Sequence, residues 1–325
     1  MKSLKIICIA LIIASIGIVA GLYVLSANGV TEPNMLPGVE NVTRISVAGI
    51  YDGSLLPAEV ISETEYPLVP EKMLVYRVDR NVSEDDIRNF AAQLGIHGEM
   101  YRESIMVSMG EGDYAVSGFP SSAFMEYSCR VPEPGYDPQY IDTHLPSDEE
   151  ALKISDEFLD QHSIRPEGAV FYSTSHNIGH FISGEIQVKN SESINVWYKH
   201  WIDGYMILTD KLHVVIDVNG EVRKIVQEWP VYEPYQEFSI IGPEEAFGFL
   251  KETGVIIRDE MKNPEKATVT NVSLVYIDQT NTEDFDYLIP VYYFKGIVQG
   301  DSKSAEFYQY IPAIPELTAE ITSNS

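Results

Sequence analysis

His176-Asn-Ile-Gly-His180 sets two imidazoles four residues apart, a spacing that on a helix turns both toward one metal ion, as in zinc hydrolases. The glutamate that would activate water is missing. Gly179 and the preceding Ser173-Thr174-Ser175 also disfavour a helix, so the segment is read as a polar turn between strands. His200 and His213 fall in expected strands and are read as hydrogen-bonded strand residues rather than ligands. Asp85-Asp86 and Glu149-Glu150 have the residue type for glycosidase chemistry, but they stand at helix starts, where the helix dipole accounts for them. No Gly-x-Ser-x-Gly elbow, phosphate loop, dinucleotide fingerprint or Cys-x-x-Cys pair occurs. The expectation is a noncatalytic protein with no catalytic residue, no cofactor and no metal.

The remaining chemistry is aromatic. Trp197-Tyr198-Lys199-His200-Trp201 and the stretch from Trp229 to Phe238 are the densest aromatic segments. Flat rings bury much area at little entropic cost, so Trp197, Trp201, Trp229, Tyr232 and Tyr235 are the candidate ligand or partner surface, set against ordinary sheet packing and a pinned connector. Three sequons, at Asn41, Asn81 and Asn271, permit glycosylation in an exported protein.

The elements that must position these residues begin with three helix starts. Ser83-Glu-Asp-Asp86, Ser147-Asp-Glu-Glu150 and Gly242-Pro-Glu-Glu245 each place a start residue ahead of carboxylates and then helical apolar spacing. Ser147 with Glu150 reads as a capping box, and Pro243 suits the first helical position. Short β-rich runs follow each start. The second block reads as strands at 169–173, 194–202, 205–208, 212–218 and 221–229, with Asp203-Gly204 and Asn219-Gly220 as tight turns. The fold expectation is α+β: an N-terminal transmembrane helix, then repeated units of a helix plus an antiparallel meander.

Residues 1–5 are the expected cytoplasmic end, 6–25 a transmembrane signal anchor and 26–69 a stalk. Domains are expected at 70–140, 141–235 and 236–315, with a tail at 316–325. Ile6 to Leu25 is long enough as a helix to span a bilayer's apolar core, and Lys2 and Lys5 precede it, which places the N-terminus inside and the remainder outside the cytoplasm. A cleaved secretory signal is the alternative. With 22 Lys and Arg against 49 Asp and Glu, the net charge of −27 excludes nucleic acid and anionic headgroups as partners of the bulk of the chain. Cys8 lies in the apolar run, so Cys129 has no partner for an internal disulfide and is read as a lone buried thiol.

The segment Asp148-Glu-Glu-Ala-Leu-Lys-Ile-Ser-Asp-Glu-Phe-Leu, then Trp201-Ile-Asp-Gly-Tyr-Met-Ile and Val214-Val-Ile-Asp-Val-Asn-Gly-Glu-Val, resembles the pattern of PepSY-like domains. The layout over residues 70–312, ending in Leu288-Ile-Pro-Val-Tyr-Tyr-Phe-Lys-Gly, is similar to YycH/YycI-type envelope proteins. The resemblance implies a noncatalytic, membrane-anchored extracytoplasmic regulator acting on a sensor kinase or a protease, and it defines no site residue. The combined expectation is a protein that binds a protein or peptide partner, with strand addition at a sheet edge as its mode. A cell-surface glycan- or ligand-binding module is the alternative, and an exported metallohydrolase ranks last.

Overall fold

The computed structural model describes residues 57–130, 145–183, 186–257, 261, 263–278, 287–300 and 303–315. The three helix-start signals all open helices: α1 (Glu84–Gln93), α2 (Asp148–Gln161) and α3 (Pro243–Thr253). Ser147 and Glu150 close the expected capping box, Ser83 closes a second with Asp86, and Pro243 occupies the first turn of α3.

Around these helices lie β1 (Glu59–Ser62), β2 (Lys72–Asp79), β3 (Met100–Glu103), β4 (Met106–Glu111), β5 (Tyr114–Phe119), β6 (Phe124–Cys129), β7 (Ala169–Ser183) and β8 (Ile186–Ile202). They are followed by β9 (Tyr205–Asp217), β10 (Val222–Glu228), β11 (Val231–Ser239), β12 (Ile256–Ile257), β13 (Pro264–Ile277), β14 (Tyr287–Gly300) and β15 (Ser304–Pro312). All join in one fifteen-stranded sheet. One arm runs antiparallel in the order β7-β8-β9-β10-β6-β5-β4-β3, and α1 and α2 cover one of its faces through Ile87, Phe90, Leu159, Tyr198, Leu212 and Val214. The other arm groups β13, β14 and β15 with β1, β2, β11 and β12, and its core joins Leu250 of α3 to Tyr76, Tyr276, Tyr292, Phe294 and Phe307.

This sheet corrects the expected repeated helix-plus-meander units. β2 precedes α1 in the chain, yet it pairs with β11 and β14, far from the strands that follow α1. β13 pairs in parallel with β1 and with β9. Caps and turn pairs are local signals, whereas such pairings are chosen by burial between distant segments.

Residues 6–25 lie outside the described residues, and among the described residues no helix is long and apolar enough to cross a membrane. The transmembrane signal anchor, the membrane contact through it and the single-pass, extracytoplasmic localisation are therefore set aside. Apolarity over a run is only a necessary condition for crossing, since the backbone must also be satisfied within a formed helix of sufficient length. α1, α2 and α3 have 10, 14 and 11 residues, carry carboxylates in their first turns and use their apolar sides for packing on the sheet.

Two turns are as expected. Asp203 and Gly204 both have positive φ in the β8–β9 hairpin, and Gly220 is left-handed between β9 and β10. Strand lengths differ more. The run 169–173 extends to the whole of β7, and the His176–His180 segment is strand rather than turn. Its polar residues lack the apolar alternation of a sequence signal, but β8 supplies the backbone partners.

The two cores meet at a bulge. Ile207 belongs to one core and Leu212 to the other. Between them the β8–β9 register skips from Tyr198↔Leu212 to His200↔Ile207, leaving residues 208–211 opposite Lys199. Lys199 Nζ donates to the Leu208 carbonyl at 2.6 Å and to the Asp210 carbonyl at 3.1 Å. The Asp210 side chain, 2% exposed, accepts from His200 Nδ1 at 2.8 Å and from the Tyr232 hydroxyl at 2.6 Å. Burial pushes the Asp210 carboxyl above its ordinary range, and those two donors only partly oppose it. Alongside, the Thr209 hydroxyl accepts from the Asp278 amide at 3.1 Å, and Asp278 pairs with Arg80.

Asp210→Ala strands buried donors and is expected to lower unfolding stability by about 3 kcal/mol, read as a lower urea midpoint. Gly296 presents a second packing constraint, because a β-carbon there would strike the Thr268 carbonyl and the Phe307 ring. Gly296→Ala is expected to cost about 2 kcal/mol in the same measurement.

Candidate functional site

The site is built from α2 and the outer edge of β7. Three contacts fix α2 over β8. The Tyr198 hydroxyl donates to Asp156 Oδ1 at 2.8 Å and accepts from Ser155 Oγ at 2.9 Å, and Arg165 bridges Asp156 at 2.6 Å and Asp160 at 2.7 Å. The guanidinium also sits 5.4 Å from the centre of the Tyr198 ring. Burial raises the Tyr198 pKa, which keeps its proton in place as the donor to Asp156. For Arg165, burial works against the charge, but the hydrogen bonds to Asp160 and Asp156 outweigh it and hold the group firmly cationic. At the start of α2, Asp148 Oδ1 lies 3.0 Å from His176 Nε2 on β7.

The body of the helix packs over β8, β9 and β10, and on β7 Phe171 meets the ring of Tyr198 edge-on at 6.4 Å. A depression of about 650 Å3 lies on this helix, and its lining residues, among them Glu149, Leu152, Lys153, Asp156, Glu157 and Asp160, all belong to α2. Among the described residues β7 pairs with β8 alone and its other edge is unpaired. Val170, Phe171 and Tyr172 are 47%, 42% and 49% exposed, and Tyr172 is the extra residue of a bulge between Phe171 and Ser173. Trp201, 41% exposed, joins this end through its amide, which donates to the Gly168 carbonyl at 2.9 Å. An edge strand with consecutive exposed large apolar side chains is suited to receiving another chain.

The five aromatic residues singled out in the sequence do not share one platform. Trp229 stacks on His200 at 4.5 Å and Tyr232 lies 5.4 Å from the same ring, so these two belong to the bulge at Asp210. Trp229 Nε1 donates to the Glu167 carbonyl at 3.2 Å. Trp197 faces the side of the sheet away from the helices, donating to Ser175 Oγ at 2.8 Å and packing 4.4 Å from His213. Tyr235 packs on Tyr287 at 5.1 Å, with Arg77 5.0 Å from its ring. Only Trp201 stands beside the open edge of β7.

Of the sequons, Asn81 bonds to Asp79 ahead of α1 and Asn271 lies exposed on β13, while Asn41 falls outside the described residues. Cys129 is a half-buried free thiol 3.5 Å from an Arg223 nitrogen. No group of three potential metal ligands occurs among the described residues. Val170, Phe171 and Tyr172 were legible as strand residues only. A run of three large apolar residues right after a helix reads as core, and which edge it occupies depends on pairing.

No family model matches the sequence. No curated protein matches it either. Among solved structures, an uncharacterized protein from Eubacterium rectale ATCC 33656 is similar over 86% of this chain and 96% of its own, at 9% identity and a TM-score of 0.48. A likeness at that score carries no argument about fold or function, and none of these findings bears on the PepSY-like resemblance.

One titratable group on the helix-free face gives a pH test. His213 Nδ1 is buried without a hydrogen-bond partner among the described residues. Burial, with Lys224 and Lys211 nearby, lowers its pKa from 6.5 to about 4. The unfolded chain therefore takes up the proton first, so the stability this neutral ring confers is full above pH 6.5 and is lost as pH falls toward 4. Replacing His213 with Gln is expected to flatten this part of the pH dependence by on the order of 1 kcal/mol, allowing for partial exposure, in urea midpoints measured across that range.

Proposed function

We propose that this protein is a noncatalytic binding protein that takes up an extended segment of a protein or peptide partner as an added strand on β7. The observation that carries the reading is the edge of β7, unpaired among the described residues, with Val170, Phe171 and Tyr172 exposed upon it. Natural proteins blunt or cover long edges, because unpaired backbone groups beside apolar side chains recruit other chains. Here a bulge shortens the usable edge, and the start of α2 meets β7 where Asp148 lies 3.0 Å from His176. In strand addition, backbone hydrogen bonds give affinity and side chains give selection. Phe171, Tyr172 and Trp201 have the residue types that dominate binding energy when an interface closes over them. The regulator reading implied by the PepSY-like resemblance needs such a binding surface and is compatible with it.

The test is a paired variant, Phe171→Ser with Tyr172→Ser. Both side chains are exposed, so folding stability is expected to change by less than about 1 kcal/mol. Affinity for a partner captured by photocrosslinking at Val170 is expected to drop by about tenfold or more, and β7 amides are expected to gain exchange protection in the complex. Unchanged affinity with unprotected β7 amides would falsify the proposal.

A further inference from the structure

We infer that the segment Tyr66-Pro67-Leu68-Val69-Pro70, between β1 and β2, is a ligand held ready for a partner domain that reads polyproline II helices through an aromatic-lined groove with a basic rim. The segment belongs to no helix or strand, and its conformation follows from its prolines. Each proline holds its own φ at about −65° and pushes the residue before it out of the helical region, so Tyr66, Pro67, Val69 and Pro70 are all confined to extended backbone. Burial decides which extended form this is. A β-strand would send Tyr66 and Val69 to opposite faces, whereas a polyproline II helix, with a repeat of about three residues, sends them to the same one. Tyr66 and Val69 both pack against the core that holds α3, with the Tyr66 ring 6.1 Å from that of Phe247.

The other two ridges of that helix face outward. Pro67 and Pro70 form one, half-buried and exposed in turn, and Leu68 and Glu71 form the other, both exposed and Leu68 fully so at 103%. A lone exposed leucine on a surface is ordinary, but Leu68 stands between two prolines on a backbone fixed at both ends. On one side the Glu63 amide donates to the Val269 carbonyl at 3.0 Å, and on the other the Ile240 amide donates to the Glu71 carbonyl at 3.1 Å. A partner therefore meets the segment in a conformation already set, and little chain entropy is lost on binding. A polyproline II backbone makes no internal hydrogen bonds, so its carbonyls are left to accept from the partner while prolines and the leucine seat between the rings of the groove. Glu63, Glu65 and Glu71 flank the prolines and are exposed, and with the net charge of −27 they favour lysine or arginine at the rim of that groove. Strand addition at β7 plays no part in this contact.

The probes are a purified Src-homology-3 domain and a purified WW domain, two classes whose aromatic grooves read proline-rich segments. Each is isotope-labelled and titrated with the unlabelled full chain up to about 1 mM. At least one of them is expected to show amide and indole shifts confined to its aromatic groove, with affinity falling as salt rises from about 0.05 M to about 0.5 M. Leu68→Asp with Pro70→Ala is expected to weaken that binding by about tenfold or more. Both side chains are exposed, so the urea midpoint of this variant is expected to match that of the unaltered chain. Val231→Asp, at another exposed apolar residue, and the paired Phe171→Ser and Tyr172→Ser variant are expected to bind the domain as the unaltered chain does. Absence of groove shifts in both domains overturns the inference, and so does equal binding by the variant altered at Leu68 and Pro70.

Discussion

The buried Asp210 carboxylate at the bulge in β9 is the constraint on which the arrangement of the rest depends. The apolar residues of β9 shift phase between Ile207 and Leu212, an odd number of positions apart yet opposite His200 and Tyr198 on one face, and a run with a strict period of two cannot do so without extra residues. The bulge at residues 208–211 makes that change, at the cost of backbone carbonyls without ladder partners. Lys199 supplies the missing donors from the facing strand, while His200 and Tyr232 satisfy the carboxylate from β8 and β11. Each of these groups would be costly to bury alone, so their mutual hydrogen bonding makes the joint specific rather than merely tolerated.

The joint also determines where β7 lies. β8 pairs along β9 on both sides of the bulge, and β7 follows β8, so the open edge is held at the far side of the sheet from β10. α2 is seated by Tyr198, a β8 residue next to Lys199, through Ser155 and Asp156. The same short segment of β8 thus supplies the donor to the bulge and the post for the helix. Asp148, Glu149 and Glu150 in the first turn of α2 stabilise its start through the helix dipole.

Much of the local structure was legible. Ser83, Ser147 and Pro243 announced helices because capping acts over three or four residues, and Asp203-Gly204 announced its hairpin because few residue types tolerate positive φ. The candidate site was legible only in part. Trp201 was singled out and stands beside the open edge, while Trp229 and Tyr232 serve the buried joint and Trp197 lies on the other face. An aromatic residue type gives the area a ring can bury, but the strand register decides against what it is buried.

By itself the sequence determined the helix starts, the tight turns, the acidic surface and the missing signatures of common catalysis, because each follows from residues close in the chain or from composition. Only the tertiary structure decided that β2 lies between β11 and β14, that β7 continues through a polar segment, that β9 bulges at Asp210 and that Phe171 stands half exposed against the edge of the Tyr198 ring. Those outcomes depend on pairings between segments far apart, which are selected by the joint burial of two cores and leave no local mark in the residues that make them.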